Sequence, residues 1–327
     1  MKVGIREVAR AAGVSTATVS RALGRGPVSE ALREQVEEAV RATGYRPNLS
    51  ARRLRSQAAQ TIGLIVADIR NPFFTAVSRA VEDAAFASGM RVILCNTDED
   101  PTREAMYLRL MEEERVTGVI FAPTVTTTAS LGESPLDFPV VLIDRAGPPG
   151  AHDSVLLDNP AAGTALVDHL ASRGYRRIGG LFGSTSSTAR ERRAGYEAAM
   201  LRHGLEPDIR TVAPNAAAAE AEAGRWLTAA DRPEALVLSN GLILMGAVRA
   251  ARSLGLSIPD DLALAGFDNE AWTDLVEPGL TVIEQPVAEI GTQAMRLLFE
   301  RIAHPDQPVR KVVLSGRMVA RGSTRAR

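Results

Sequence analysis

The sequence predicts an α/β protein: a helix-turn-helix head, a short charged connector, and two doubly wound α/β lobes. Three observations predict it. Residues 4–23 read as two short helices joined at a glycine turn. From residue 61 onward, short apolar runs alternate with amphipathic helical stretches, the pattern of parallel sheets. Charge is also divided between these regions. Residues 1–60 hold 11 Lys and Arg against five Glu, a net of +6. The remainder holds 27 basic against 34 acidic residues, a net of −7, so the whole chain stands at −1. A basic head on an acidic body fits attraction to phosphate at one end only.

The head comes first. Helix one is expected over 5–11 and helix two over 16–23, with Ser15 as its N-cap. Gly24 and Gly26 break helix two. Ser29 caps a third helix that reaches residue 43, with Gly44 at its end. Val8, Val14, Val19, Leu23, Leu32, Val36 and Val40 are expected to form a small shared core. The stretch from Asn48 to Ser56 is too short and too charged for an independently stable helix. It reads as a conditional helix or a linker.

The body follows. Thr61-Ile62-Gly63-Leu64-Ile65-Val66-Ala67 is a continuous apolar run, as in a strand buried on both faces. Further strands are expected over 91–95, 118–122, 139–143, 176–182, 234–238 and 261–266. Helices are expected over 73–88, 103–114, 160–173, 189–203, 242–254 and 290–303. That is many strands for one such sheet. Two similar lobes are expected, with a break near Asp158-Asn159-Pro160.

At 327 residues, 45% hydrophobic and 24% charged, the composition is that of an ordinary soluble globular protein. One cysteine, Cys95, rules out an intrachain disulfide and sits in an apolar run as an expected buried strand residue. No run approaches the ~20 apolar residues of a membrane span, and no secretory signal is expected, since the start reads as an amphipathic helix with Arg6 in it. A cytoplasmic protein without a membrane partner is expected. Catalysis has little support. There is no glycine-rich phosphate loop, the four histidines lack metal spacing, and residues 184–188 carry no nucleophile elbow. No enzyme activity, cofactor or metal is expected.

Helix two carries the reading chemistry. Thr16, Ala17 and Arg21 project from one face of it. Arg21 can donate two bonds to guanine O6 and N7, Ala17 can touch a thymine methyl, and Thr16 can do either. Ser15, Thr18 and Ser20 suit phosphate contacts or caps. In doubly wound sheets, ligands sit at the carboxyl ends of strands. Those ends are followed by Asp68, Arg70, Asn71, Phe73 and Phe74; by Asn96, Thr97 and Asp98; by Arg190 and Arg192; by Ser239 and Asn240; and by Asp268 and Asn269, with Trp272 one turn on. Asn71-Pro72 reads equally as an N-cap and first-turn proline. Carboxylates, amides and an arginine around flat apolar faces suit a polyhydroxylated ligand.

Several motifs now add up. They are GVSTATVSRAL (13–23), YRPN (45–48) followed by ARRL (51–54), Asn71-Pro72-Phe73-Phe74, Gly266-Phe267-Asp268, Leu280-Thr281-Val282 before Gln285-Pro286, and Arg321-Gly322-Ser323-Thr324. Along essentially its whole length the chain resembles the lactose/galactose repressor family of bacterial transcription regulators.

The resemblance implies a homodimeric repressor of a palindromic operator in double-stranded DNA. Its small-molecule effector would lie between the two lobes of a core shaped like a type I periplasmic binding protein, and a sugar or sugar derivative is expected. The implied domains are a head over 1–46, a hinge helix over 47–57 and a core over 58–327. Within the core, the N-lobe takes about 58–158 plus 289–314 and the C-lobe about 159–288 plus 315–327. Thr16, Ala17 and Arg21 fall at the family's base-reading positions.

Leu54 falls where the family wedges a leucine into the minor groove, and such a wedge unstacks and kinks the duplex. Asn48 would cap the hinge, Ala51 would permit close approach, and Arg52 and Arg55 would meet phosphates. Arg53 stands where the family usually has a smaller polar residue. Arg192 matches the family's effector-binding arginine and Asp268 its late pocket aspartate. The expected effector residues are Asp68, Phe73, Phe74, Asp158, Arg192, Asn240, Asp268 and Trp272. One departure is plain: Asn240-Gly241 stands where the family commonly has Asn-Asp. The effector's identity therefore does not carry over from any one member.

The rival reading is a solute-binding protein without a DNA role, and the head argues against it. Activation and repression stay open, because the sequence does not show where the operator lies relative to a promoter. Apolar stripes on the 73–88 helix (Val77, Val81, Ala84, Ala85) and the 290–303 helix (Ile290, Ala294, Leu297, Leu298, Ile302) are candidate subunit contacts, with internal core as the plainer reading. No leucine heptads close the chain, so a tethered tetramer is not expected.

Overall fold

The computed structural model describes residues 4–23, 28–45, 60–131 and 136–326. The expected hinge residues Asn48, Ala51, Arg52, Leu54 and Arg55 lie outside the described residues. The chain divides into two compact units, Met1–Ala59 and Gln60–Arg327.

The first unit holds α1 (Ile5–Ala11), α2 (Thr16–Ala22) and α3 (Glu30–Thr43). Gly13 turns the chain between α1 and α2 at φ +61°, a conformation that a residue without Cβ adopts freely. Ser15 caps α2, its Oγ accepting from the Thr18 N–H at 3.1 Å. The core is small: Val8, Val19 and Val36 meet Ala9, Ala12, Ala22 and Ala39. Val14, Leu23 and Val40, expected inside, are only partly buried and pack on its edge. Alanine at the contacts lets the helices come close. Two side chains of α3 then satisfy carbonyls at the ends of the other helices: Gln35 Nε2 donates to Ala12 O at 3.0 Å, and Arg33 Nη1 to Ala22 O at 2.7 Å.

The second unit is two lobes, each built on a six-stranded sheet. The first sheet contains β1 (Thr61–Val66), β2 (Arg91–Asn96), β3 (Gly118–Phe121), β4 (Val140–Ile143), β5 (Asp153–Leu157) and β11 (Lys311–Leu314), in the order β11-β5-β4-β3-β1-β2. All its neighbouring strands are parallel. The second contains β6 (Ile178–Gly183), β7 (Asp208–Val212), β8 (Ala235–Leu238), β9 (Ala263–Phe267), β10 (Thr281–Glu284) and β12 (Arg317–Val319), in the order β12-β10-β9-β8-β6-β7. Only β12 runs antiparallel to its neighbour. Central strands such as β1, β4, β6 and β9 are buried along their whole length, because helices cover both faces.

The N-lobe helices are α4 (Pro72–Ala87), α5 (Pro101–Glu113), α6 (Val125–Ser130) and α12 (Val287–Ala303). The C-lobe helices are α7 (Asn159–Ser172), α8 (Ser187–Arg202), α9 (Ala216–Leu227), α10 (Gly241–Ser253) and α11 (Ala271–Leu275). The chain passes between the lobes near residues 157–159, 284–287 and 314–317. Among the described residues, no helix is long and apolar enough to cross a membrane.

The sequence pattern did not place β5, β7, β10, β11, β12, α6, α9 or α11. β7 is a half-exposed edge strand, so no apolar run marks it. Alanine fills the first turns of α9 on every side and hides its period. β5 opens on Asp153, whose buried carboxylate accepts from Arg301 Nε at 3.0 Å and from the Arg310 N–H at 2.7 Å. Those bonds tie β5 to α12 and to the start of β11.

The two apolar stripes offered as subunit contacts face each other instead. Val77, Val81 and Ala85 of α4 pack against Ile290, Ala294, Leu297 and Leu298 of α12 in one buried cluster. Burying both stripes inside the N-lobe removes them from the surface. A second close contact decides the site: α7 and α8 meet through glycines. A Cβ at Gly163 would stand 2.3 Å from the Arg192 carbonyl oxygen, and one at Gly195 would stand 2.0 Å from that of Pro160. Only glycine fits either position, and the crossing brings Asn159 to Arg192.

Candidate functional site

The head presents one polar face. Helix α2 buries Val19 and Ala22 and leaves Thr16, Ala17 and Arg21 exposed. Among the described residues, Arg21 makes a single long contact, 3.4 Å from Nε to the Ala17 carbonyl. Ser15 is exposed but engaged as the cap, and its Oγ also lies 2.9 Å from Thr18 Oγ1. Thr18 and Ser20 are partly buried beside it. The helix start thus presents first-turn backbone N–H groups and hydroxyls at one end and the exposed Arg21 one turn on.

In the core, the carboxyl ends of the strands from both sheets converge on one cleft of about 570 Å³, open mouth included. Asp68, Phe73, Phe74, Arg192, Asn240 and Asp268 all line it. Phe73 and Phe74 meet edge to face, 5.0 Å between centroids and 74° between planes, and supply the apolar wall. Their helix begins at Asn71, whose Oδ1 accepts from the Phe73 N–H at 3.1 Å. Asp68 is occupied by Arg70, which donates from Nε at 2.9 Å. Asn240 caps α10, its Oδ1 accepting from the Ile243 N–H at 2.8 Å.

Arg192 is buried and held on three sides. Nε donates to Asn159 Oδ1 at 2.8 Å, and Nη1 donates to the Ser239 carbonyl at 2.6 Å. The guanidinium carbon lies 3.9 Å over the Phe267 ring. Nη2 has no hydrogen-bond partner among the described residues. Burial pulls its pKa down, and the carboxylates of Asp268 and Asp144 offset part of that.

Asp268 ends β9 at φ +76°, a strained backbone for a residue with a side chain. Its carboxylate is locked by the Gly241 N–H at 2.8 Å and by Gln285 Nε2 at 2.6 Å. Strain of this kind persists only where surrounding contacts over-determine it, and it clusters at ligand sites.

Two expected residues sit elsewhere. Asp158 caps α7, accepting from the Ala161 N–H at 3.0 Å, and its neighbour Asn159 supports Arg192 in its place. Trp272 packs against the C-lobe core and donates from Nε1 to Glu270. It does not line the cleft.

Polar lining residues that the sequence reading did not name as ligand contacts include Glu99, Asp144, Arg145 and Gln285. Asp144 and Arg145 directly follow β4, so the carboxyl-end rule points at them once it is applied to every strand. Arg145 is buried and forms a two-pronged pair with Glu99, with Nη1–Oε2 at 2.9 Å, and also donates to the Pro123 carbonyl at 2.9 Å. That pair neutralises Arg145. Asp144 has φ +64°, and burial pushes its carboxyl upward against the pull of Arg145 and Arg192. The cleft therefore combines one arginine with an unused donor edge, fixed carboxylates from both lobes and two phenyl rings. It suits a small polar ligand with hydroxyl groups and one apolar face.

Comparison with known proteins fits both surfaces. Residues 4–48 match the description "Bacterial regulatory proteins, lacI family", and residues 167–324 match "Periplasmic binding protein-like domain". The chain is similar to the HTH-type transcriptional regulator DegA of Bacillus subtilis (strain 168), with 31% identity covering 99% of this chain and 98% of the relative. A putative ribose operon repressor from Burkholderia thailandensis is 37% identical with a TM-score of 0.71, covering 80% of this chain and 99% of that one. The lac repressor dimer bound to operator and the anti-inducer ONPF has a TM-score of 0.89 over 100% of both chains, a likeness of fold at 23% identity.

Proposed function

This chain belongs to the lacI family of bacterial regulatory proteins, and from that premise we propose a repressor that reads a palindromic operator as a homodimer under the control of a sugar or sugar derivative. It acts in the cytoplasm and binds its effector without transforming it. The carrying observation is the division of α2, which hides Val19 and Ala22 and leaves Thr16, Ala17 and Arg21 exposed on one face. A recognition helix in the major groove needs that division. One head per chain reads one half-site, so a palindrome requires two chains.

The cleft supports the effector part. Arg192 offers Nη2 to a ligand oxygen, Asp268 and Asp144 accept from hydroxyls, and Phe73 and Phe74 cover an apolar sugar face. A ligand there touches both lobes and shifts their relative position by as much as it prefers one arrangement. Asn48, Ala51, Arg52, Leu54 and Arg55 form the hinge in this reading. Ordering that segment on DNA costs conformational entropy, so a change that separates two hinges weakens operator binding.

The test is selection of bound fragments from a random DNA pool, followed by a sugar panel in the same binding assay. Enriched sites should be palindromic, and one sugar class should change operator affinity by roughly 5–150-fold. Enrichment of lone half-sites would remove the dimer, and indifference to every sugar would remove the effector class.

A further inference from the structure

We infer that Glu270 is an acid built into the back wall of the cleft: it places its carboxyl group in the notch left by Gly241, beside Asp268. The inference rests on the cleft being the effector site. Gly241 opens α10 and donates its N–H to Asp268 Oδ2 at 2.8 Å. A Cβ on Gly241 would stand 2.6 Å from Glu270 Oε1, 3.3 Å from the Asp268 Cβ and 3.4 Å from Asp268 Oδ2. Glu270 thus reaches back from the loop after β9 and fills the space a side chain at 241 would take. Its other oxygen, Oε2, accepts from Trp272 Nε1 at 2.6 Å, which fixes the carboxyl in place.

Glu270 Oε1 is buried and has no hydrogen-bond partner among the described residues. A charged oxygen in that position costs more than a protonated carboxyl group. The surrounding charges do not relieve it. Asp268 repels it from the end of β9. Glu284 on β10 is engaged by Asn269 at 2.7 Å and by Arg317 of β12 at 2.8 Å. Arg321 donates to Asn269 at 2.7 Å and pairs with Asp274 of α11 at 3.1 Å. Glu289 of α12 lines an adjacent cavity with Glu270 and adds another negative group. Burial, and then Asp268, push the Glu270 carboxyl upward, against the Trp272 bond.

The full chain, labelled with ¹⁵N-tryptophan, tests this without DNA or effector. The indole N–H signal of Trp272, identified by its loss in Trp272→Phe, is followed from about pH 4 to about pH 8 across the carboxyl range. It should titrate with a midpoint above the ordinary glutamate value. Glu270→Gln should abolish the titration. Asp268→Asn should move the midpoint to lower pH by removing the like charge. Gly241→Ala should also lower it, by pushing Oε1 out of the notch. That variant should fold, because the one contact under 3.0 Å is with the far end of a flexible side chain and Asp268 need shift by only a few tenths of an ångström. A signal that does not titrate, or a midpoint that neither Asp268→Asn nor Gly241→Ala moves, overturns the inference. Because no regulatory readout enters, that failure is separate from any failure of the repressor reading.

Discussion

Nε of Arg192 donates a hydrogen bond to Oδ1 of Asn159 at 2.8 Å, across the crossing of α7 and α8. The two residues are 33 positions apart, and Gly163 and Gly195 allow the helices to come close enough for the bond. Asn159 is fully buried and its Nδ2 donates to Glu191 Oε2 at 2.9 Å, so its amide orientation is set from both ends. Arg192 therefore enters the cleft with two bonded edges and one spare.

Replacing Asn159 with Ala should leave the Arg192 guanidinium short of an acceptor. Stability should fall by about 1–3 kcal/mol, the cost of an unsatisfied buried polar group. The effector response should weaken while operator binding without effector is retained. Arg192→Ala should abolish the response and also lower the melting temperature. A full response in either variant, read by DNA binding with and without the active sugar, would misplace the pocket.

At Gly195, a methyl group must displace the Pro160 backbone. Gly195→Ala should destabilise the core by about 1–3 kcal/mol through overpacking. Denaturant unfolding of the full chain measures it. An unchanged midpoint would mean that the crossing is looser than the geometry states.

Arg21→Ala should cost about 1–3 kcal/mol on the preferred operator and relax discrimination at one base pair. Binding isotherms on operators varied one pair at a time decide the matter. A uniform loss on all sequences would make Arg21 a phosphate contact.

Asp153 links pH to stability. Burial alone would raise its pKa, but bonds from Arg301 and Arg310 outweigh that and hold the carboxyl below the ordinary range. A carboxyl lowered in the folded state adds stability above its unfolded pKa, and that stability is lost as pH falls through the folded value. Asp153→Asn should destabilise near neutrality, by about 1–3 kcal/mol, because the bonds from Arg301 and the Arg310 N–H lose a charged acceptor. The variant's acid limb should also be shallower than the parent's. Parallel acid limbs would show that other carboxylates control the transition.

Much of the head was legible because its signals are local. Ser15 and Ser29 mark helix starts and Gly44 marks an end; α2 begins directly after Ser15, and α3 runs from the residue after Ser29 to the residue before Gly44. The carboxyl-end rule likewise led to Asp68, Arg192, Asn240 and Asp268. It missed Asp144 and Arg145 only because it was not carried to β4. Trp272 misled for a physical reason. An aromatic one turn beyond a pocket residue can face the ligand or the lobe's own core, and here the hydrophobic cluster under α11 takes it.

By itself, the sequence determined the class of the protein: a basic reading head and an acidic body of alternating strands and helices. Cap residues, apolar period and charge act over a few neighbouring positions, so the chain order is enough to read them. Only the tertiary structure decided which polar groups meet. That Asn159 rather than Asp158 braces Arg192, that the α4 and α12 stripes cover each other, and that Glu270 fills the space beside Gly241 all depend on the close approach of segments remote in sequence. Sheet register and helix crossing set those approaches, and no local pattern encodes them.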